Sequence, residues 1–68
     1  MSELDYKICK TIKYYKDTFR VNPSIVEIAY LIEYSTEATR YHLKKLEKIG
    51  IIEKTEDKDY LLKVTTLK

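Results

Sequence analysis

The chain lacks the features of a secreted or membrane-spanning protein. It contains one cysteine, one glycine and one proline, and no glutamine. A single cysteine excludes an internal disulfide and a zinc site built from several cysteines. No apolar run approaches the roughly 18–20 residues of a membrane span, and the N-terminus lacks the apolar segment of a signal peptide. We therefore expect a cytoplasmic protein that does not contact a membrane.

The remaining composition is that of one small folded domain covering residues 1–68. The 68 residues are 44% hydrophobic and 35% charged, which argues against extensive disorder. A domain of this size buries only about 60% of the surface of its unfolded chain, so its core is marginal. We interpret Cys9 as a thiol at the helix surface or the edge of this core, the alternative being a disulfide between two subunits.

Positive charge is concentrated in two stretches of the chain. The net charge is +2, and residues 1–24 and 35–50 each carry +2 while residues 25–34 carry −2 and residues 51–68 are neutral. The two positive stretches coincide with the first and third predicted helices. Neutralisation of phosphates would require positive charge on such elements.

Residues 4–19 predict a long amphipathic helix. Its apolar stripe follows helical spacing and consists of Leu4, Ile8, Ile12, Tyr15 and Phe19. The opposite face holds Tyr6, Lys10, Lys13, Asp17 and Arg20. Pro23 disfavours helical backbone for the residue before it, so the helix ends ahead of Pro23. Val21 is expected to make one short strand pairing.

Two shorter helices follow, each with its own start signal. Ser24 and Glu27 form the capping-box pattern for a helix over residues 25–33, whose buried face is Ile25, Ile28, Ala29 and Ile32. Ser35 or Thr36 caps a third helix over residues 36–49, whose inward face is Thr39, Leu43 and Leu46. Gly50 supplies the left-handed residue that ends it. Helices separated by so few residues cross steeply, which is helix-turn-helix geometry.

After Gly50 the apolar period changes from that of a helix to that of a strand. Residues 51–54 and 60–65 are rich in β-branched and apolar side chains, and the polar residues 55–59 between them favour a turn. The sequence therefore predicts an antiparallel hairpin over residues 51–65. The fold class is α+β, with three helices and a C-terminal hairpin.

Two segments resemble the winged helix-turn-helix domains of transcriptional regulators. Residues 22–29 (NPSIVEIA) resemble the entry to the second helix of LexA-type repressors. Residues 40–52 (RYHLKKLEKIGII) are similar to the recognition helix and first wing strand of LexA-like and MarR-like proteins. The resemblance covers residues 8–65 and implies that the third helix enters the major groove of duplex DNA, with the hairpin as the wing.

The chain departs from that pattern at two places. The turn between the second and third helices, at Glu33 and Tyr34, lacks the frequent glycine, and a non-glycine residue at positive φ costs roughly 1 kcal/mol. The wing candidates Lys54 and Lys58 are outnumbered by four acidic neighbours, so we expect a weak contact between the wing and DNA.

The positions that the resemblance implies for DNA contacts and the outward positions of the third helix are the same side chains. Arg40 is the best candidate for a base contact, because its guanidinium can bond O6 and N7 of guanine together. Glu37 either accepts from cytosine N4 or only stabilises the helix dipole. Tyr41 either contacts a phosphate or a thymine methyl, or is simply an exposed tyrosine.

The remaining candidates are suited to phosphates. The lysines are Lys44, Lys45 and Lys48, each with a purely solvated role as the alternative. Ser35 and Thr36 cap the third helix, and its N-terminus can also bind a phosphate through backbone N–H groups, as can Ser24 at the second helix. Lys10, Lys13 and Arg20 are weaker candidates on the first helix. His42, without a second ligand nearby, is expected to be a packed or hydrogen-bonded helix residue.

The sequence favours a sequence-specific regulator that binds double-stranded DNA as a homodimer. Two copies are expected because one domain makes few contacts, with Leu61, or Tyr6 and Tyr14, supplying the dimer contact. The alternative is a winged helix used as a protein-interaction module or adaptor subunit. We expect no enzyme activity and no cofactor, because the chain has no phosphate loop and no catalytic constellation. We expect no metal, because Cys9 and His42 lack further ligands at suitable spacing. No small-molecule effector domain is expected, because the sequence stops after the second predicted wing strand.

Overall fold

The computed structural model describes residues 2–63, which form three helices followed by a two-stranded antiparallel hairpin. The elements in chain order are α1 (Glu3–Phe19), α2 (Ile25–Ile32), α3 (Thr36–Lys48), β1 (Ile52–Lys54) and β2 (Tyr60–Leu62). This confirms the α+β arrangement and is consistent with a winged-helix layout. Residues 64 and 65 of the predicted hairpin lie outside the described residues.

Helix α1 begins one residue earlier than its apolar stripe indicates, because Ser2 caps it. The Asp5 N–H donates to Ser2 Oγ at 3.1 Å, and the Ser2 N–H donates to Asp5 Oδ2 at 3.4 Å. This reciprocal pair satisfies two of the N–H groups that a helix start leaves without partners. The helix ends at Phe19, and the capping residue Arg20 that follows has a left-handed φ of 65°.

The capping box predicted for α2 is confirmed, and it also joins α2 to α1. The Ser24 N–H donates to Glu27 Oε1 at 2.8 Å, and Tyr15 Oη donates to Glu27 Oε2 at 2.5 Å. The pKa of Glu27 is lowered mainly by the hydrogen bond from the Ser24 backbone and then by the one from Tyr15. The hydrogen bond between Tyr15 and Glu27 also raises the pKa of the Tyr15 hydroxyl. One carboxylate therefore sets both the start of α2 and its distance from α1.

The turn between α2 and α3 keeps a left-handed residue although it has no glycine. Glu33 has φ 62°, and the N–H groups of Glu33 and Tyr34 donate to the carbonyls of Tyr30 and Ala29 at 3.3 and 3.1 Å. This is the hydrogen-bond pattern of a Schellman ending, in which glycine is usual. The chain thus accepts strain at Glu33 to make the tight turn.

Glu33→Gly is expected to raise the free energy of unfolding by about 0.5–1 kcal/mol, because glycine adopts positive φ without a Cβ penalty. Urea unfolding followed by circular dichroism measures the effect. Glu33→Ala is the matched control, since it removes the same charge but keeps the Cβ. Equal stability of the two variants would show that Glu33 is not strained.

Helix α3 starts at the predicted residue, and its predicted left-handed residue, Gly50, follows its end. Ser35 Oγ accepts from the Ala38 N–H at 3.1 Å, and the Thr39 hydroxyl donates to the Ser35 carbonyl at 2.8 Å. At the other end Gly50 has φ 83°, and the Ile51 N–H donates to the Leu46 carbonyl at 3.0 Å. The helix proper stops at Lys48, one residue before the predicted end.

The hairpin pairs Ile52 with Leu62, Glu53 with Leu61 and Lys54 with Tyr60. An isolated bridge outside these strands joins Ser24 to Asp59, whereas Val21 was predicted to make this short pairing. Val21 follows directly on the left-handed Arg20 and is exposed, whereas the extended Ser24 lies beside the hairpin. The Tyr60 N–H donates to the Pro23 carbonyl at 2.9 Å, which attaches the hairpin to the start of α2.

The core lies where the three helices meet the hairpin. Its buried members are Ile8, Cys9, Ile12, Ile28, Ile32, Leu43, Leu46, Ile52 and Tyr60. The expectation for Cys9 was wrong, because its exposure is 0%. The buried face of α1 is broader than the predicted stripe, since Asp5 and Cys9 are buried beside Ile8 and Ile12. This burial raises the pKa of the Cys9 thiol and excludes an intersubunit disulfide in the folded protein.

Phe19 is a second correction within α1. It was predicted to belong to the buried stripe, but it is 54% exposed. It lies in the last turn and packs against Tyr15 with tilted rings, their centroids 4.7 Å apart. Among residues 2–63, none of the helices combines the length and apolar character needed to cross a bilayer.

Candidate nucleic-acid interface

The outer face of α3 presents the side chains that the sequence selected. Thr39, Leu43 and Leu46 are buried, which confirms the predicted phase of the helix. The opposite face is exposed and carries Thr36, Glu37, Arg40, Tyr41, Lys44 and Lys48. Arg40 and Lys44 make no ion pair with any residue from 2 to 63. Both cations are therefore available to an external anion.

The N-terminus of α3 lies on this exposed surface. Ser35 and Thr36 are both exposed, and Ser35 Oγ caps the Ala38 N–H. A helix start leaves its first N–H groups without intrahelical partners, and the helix dipole gives this end partial positive charge. The capped end is thus suited to accept a phosphate oxygen beside Glu37 and Arg40.

Lys45 differs from Lys44 and Lys48 in being paired with a carboxylate of another helix. Its Nζ is 2.9 Å from Asp5 Oδ2, and the other oxygen of Asp5 is 2.9 Å from Nδ1 of His42. We call these three residues the Asp5 cluster. The Lys45 ammonium is therefore already paired within the protein, which makes it the weakest phosphate candidate on α3.

The Asp5 cluster joins the first turn of α1 to the middle of α3. The Asp5 side chain is 3% exposed. Burial alone would raise its pKa, but the bonds with Lys45, His42 and Ser2 outweigh that effect and lower the pKa to about 2. The hydrogen bond of His42 confirms the expectation that it is a bonded helix residue, and its ring also meets Tyr41 edge-on at 5.3 Å.

Sequence reasoning missed the role of Asp5. The only local signal is the Ser2-x-x-Asp5 spacing of a capping box, which explains the bonds to Ser2 but not those to α3. His42 lies 37 positions along the chain from Asp5. No periodicity within either helix indicates a contact across that distance.

The hairpin places its two lysines at a short, acidic tip. Lys54 ends β1, and Lys58 lies in the turn with φ 66°. The turn is held by the Thr55 N–H, which donates to the Asp59 carbonyl at 2.8 Å, and by the Lys58 N–H, which donates to the Thr55 carbonyl at 2.9 Å. Both lysines are exposed, but strands of three residues give the wing little reach.

The weaker candidates are mostly engaged in other contacts. Lys13 pairs with Asp17 at 2.8 Å, and Lys10 lies over the ring of Tyr6, 5.5 Å from its centroid. The Ser24 backbone pairs with Asp59 while its side chain caps α2. In the described part of the chain, no three His, Cys, Asp or Glu residues are grouped so that they could hold a metal ion.

The sequence matches no protein-family model and shows no significant match to a curated protein.

Proposed function

We propose that this protein binds double-stranded DNA in a sequence-specific manner and acts as a transcriptional regulator, with α3 in the major groove. The observation that carries the proposal is the strip of exposed side chains from Glu37 to Lys48 on a helix whose opposite face is packed in the core. Its cations Arg40 and Lys44 are unpaired among residues 2–63, and its N-terminus is exposed and capped. An α-helix fits the major groove, where base edges are distinguishable.

Each residue of the strip has a definite role in this arrangement. Arg40 bonds a guanine edge, and Tyr41 packs beside it against a thymine methyl or a phosphate. Lys44 and Lys48 contact phosphates, which set position and affinity but carry no sequence information. Glu37 both complements the helix dipole and accepts from cytosine N4. Lys45 is already paired with Asp5 and is therefore assigned no base or phosphate contact here.

The homodimer is part of this proposal, because two-fold related copies of α3 can contact half-sites about 34 Å apart. Of the two dimer contacts considered, Leu61 is the poorer one. It is partly buried and lines a groove between α1 and the hairpin together with Lys16 and Asn22. The side of α1 that carries Tyr6 and Tyr14 is the better one.

Lys44→Ala is expected to weaken binding to every duplex alike, by roughly 3- to 10-fold, because it removes one phosphate contact. Electrophoretic mobility shift against random-sequence duplex at two salt concentrations measures this. The salt slope should become shallower by about one unit. Lys16→Ala, an exposed lysine on α1, is the matched control and should leave affinity unchanged.

The outcome of the same titration tests the proposal as a whole. Affinity that falls steeply with salt supports DNA binding, whereas no retardation even at low salt would reject it. In that case the second candidate, a protein-interaction module or adaptor subunit, would be favoured. The exposed apolar side chains of α2 and its turn, Tyr30, Leu31 and Tyr34, are the observation that supports it. No catalytic role is proposed for any residue.

A further inference from the structure

An apolar groove lies between α1 and α2, and none of its lining residues belongs to the exposed strip of α3. Its volume is about 860 Å³, and its apolar lining is Leu4, Tyr6 and Tyr14 from α1 with Leu31 and Tyr34 from α2 and the following turn. Tyr14 is 56% exposed, Tyr34 50% and Leu31 39%. Aromatic side chains grouped in this way on a small protein mark an interaction surface.

The rim of the groove carries charges of both signs along one line of α1. Glu3, Lys7 and Lys10 all line it and are exposed. Glu3 and Lys10 are seven residues apart, which is two helical turns, so they occupy the same face about 10 Å apart. Within residues 2–63 Glu3 has no ion-pair partner, while Lys10 is held along the groove over the Tyr6 ring.

Along α1 the acidic Glu3 precedes the basic Lys10, so an antiparallel second copy of α1 would present the opposite charge at each of these two positions. If a second copy packs its α1 antiparallel, with a two-fold axis midway between Glu3 and Lys10, then Glu3 meets Lys10 of the partner subunit twice in the same interface. The same register places Lys7 opposite Tyr6 of the partner subunit, so that Lys7 does not face its own symmetry mate. The aromatic lining lies beside these pairs and supplies the apolar area.

We infer that the groove between α1 and α2 is the contact through which two copies of this chain associate about a two-fold axis, with reciprocal pairs between Glu3 and Lys10. The inference rests on the homodimer of the proposed function and names its contact surface. The two copies associate through this surface whether or not DNA is bound. The domain measures 25 × 22 × 22 Å. Two such domains side by side span roughly 45–50 Å, enough to hold two copies of α3 about 34 Å apart.

The test uses charge reversal, measured by sedimentation equilibrium without DNA from about 10 μM to 1 mM protein. Wild-type protein should show a monomer–dimer equilibrium. Glu3→Lys and Lys10→Glu should each weaken it by roughly 10- to 30-fold, because two attractive pairs become repulsive. Lys16→Glu, the same charge change on the α1 surface outside the groove, is the matched control and should dimerise like wild type.

Mixing the two weakened variants gives the decisive result. In a mixed dimer the side chain introduced by Glu3→Lys would face the one introduced by Lys10→Glu. The unaltered Lys10 of the first variant would face the unaltered Glu3 of the second, so both attractive pairs return. The mixture should therefore recover dimerisation close to wild type, which a loss of folding in either variant cannot produce. Thermal melts followed by circular dichroism show that each variant is folded.

Three results would overturn the inference: monomeric wild type throughout the concentration range, variants that dimerise like wild type, or a mixture that stays monomeric. None of them bears on whether the monomer binds duplex DNA, which the mobility-shift titration measures separately. A monomer that still binds DNA would retain the proposed function and lose only this surface.

Discussion

Arg40→Ala is expected to reduce affinity for the preferred DNA site by roughly 10- to 100-fold and to relax the preference for one base pair. The guanidinium can form two parallel bonds with a guanine edge, and one such pair discriminates against a wrong base by about 1–3 kcal/mol. Arg40 is exposed and has no ion-pair partner among residues 2–63, so its loss should not disturb the fold. Selection from a random duplex pool, followed by competition binding, measures both effects.

Arg40→Lys separates charge from geometry. Lysine keeps the positive charge but cannot bond O6 and N7 with a planar fork, so it should retain non-specific affinity and lose most of the base preference. An alanine variant that weakens all sequences equally would assign Arg40 to a phosphate instead. An alanine variant with unchanged affinity and preference would reject the docking of α3 altogether.

Asp5→Asn is expected to lower the free energy of unfolding by about 2 kcal/mol at pH 7, because a tenfold change in a protonation equilibrium corresponds to about 1.4 kcal/mol. The folded pKa of Asp5 is about 2, against an ordinary value of 3.8. Because the folded pKa is the lower one, the contribution is fully present above the unfolded value. It is lost as the pH falls from about 5 through the folded pKa.

The pH dependence of the free energy of unfolding distinguishes the ion pair of Asp5 with Lys45 from simple packing of the Asp5 side chain. The difference between wild type and Asp5→Asn in urea unfolding should shrink by more than half between pH 7 and pH 2. Asp57→Asn is the matched control, the same substitution at an exposed carboxylate of the hairpin turn that lacks an ion-pair partner among residues 2–63. A difference for Asp5→Asn that stays constant with pH would show that the charge does not contribute.

Local features of the chain could be predicted from sequence because they depend on neighbouring residues. The Ser24–Glu27 capping box, the cap of α3 and the left-handed Gly50 each involve groups within four positions. The capping box and Gly50 were predicted outright, and the Ser35 cap was one of two predicted alternatives. The outward phase of α3 followed from the inward Thr39 and Leu43, since one helix period fixes both faces. The candidate strip on α3 was accordingly available from sequence alone.

Features that depend on which helices meet could not be predicted in the same way. Cys9 is fully buried because the buried face of α1 is broader than one apolar stripe, and no pattern within α1 indicates that breadth. Lys45 is similar to Lys44 in sequence, yet only Lys45 reaches a carboxylate from another helix. The pairing at Ser24 in place of Val21 likewise depends on where the hairpin folds back.

Because Cys9 is buried, the rate at which a thiol reagent labels it measures how often the folded protein opens. As the sole cysteine of the chain, with an exposure of 0% and a raised pKa, it is shielded from a thiol reagent until the helices separate. When reclosing is faster than labelling, the labelling rate is proportional to the fraction of open molecules. The native protein, without denaturant or an added label site, can therefore report how often its core is exposed to solvent.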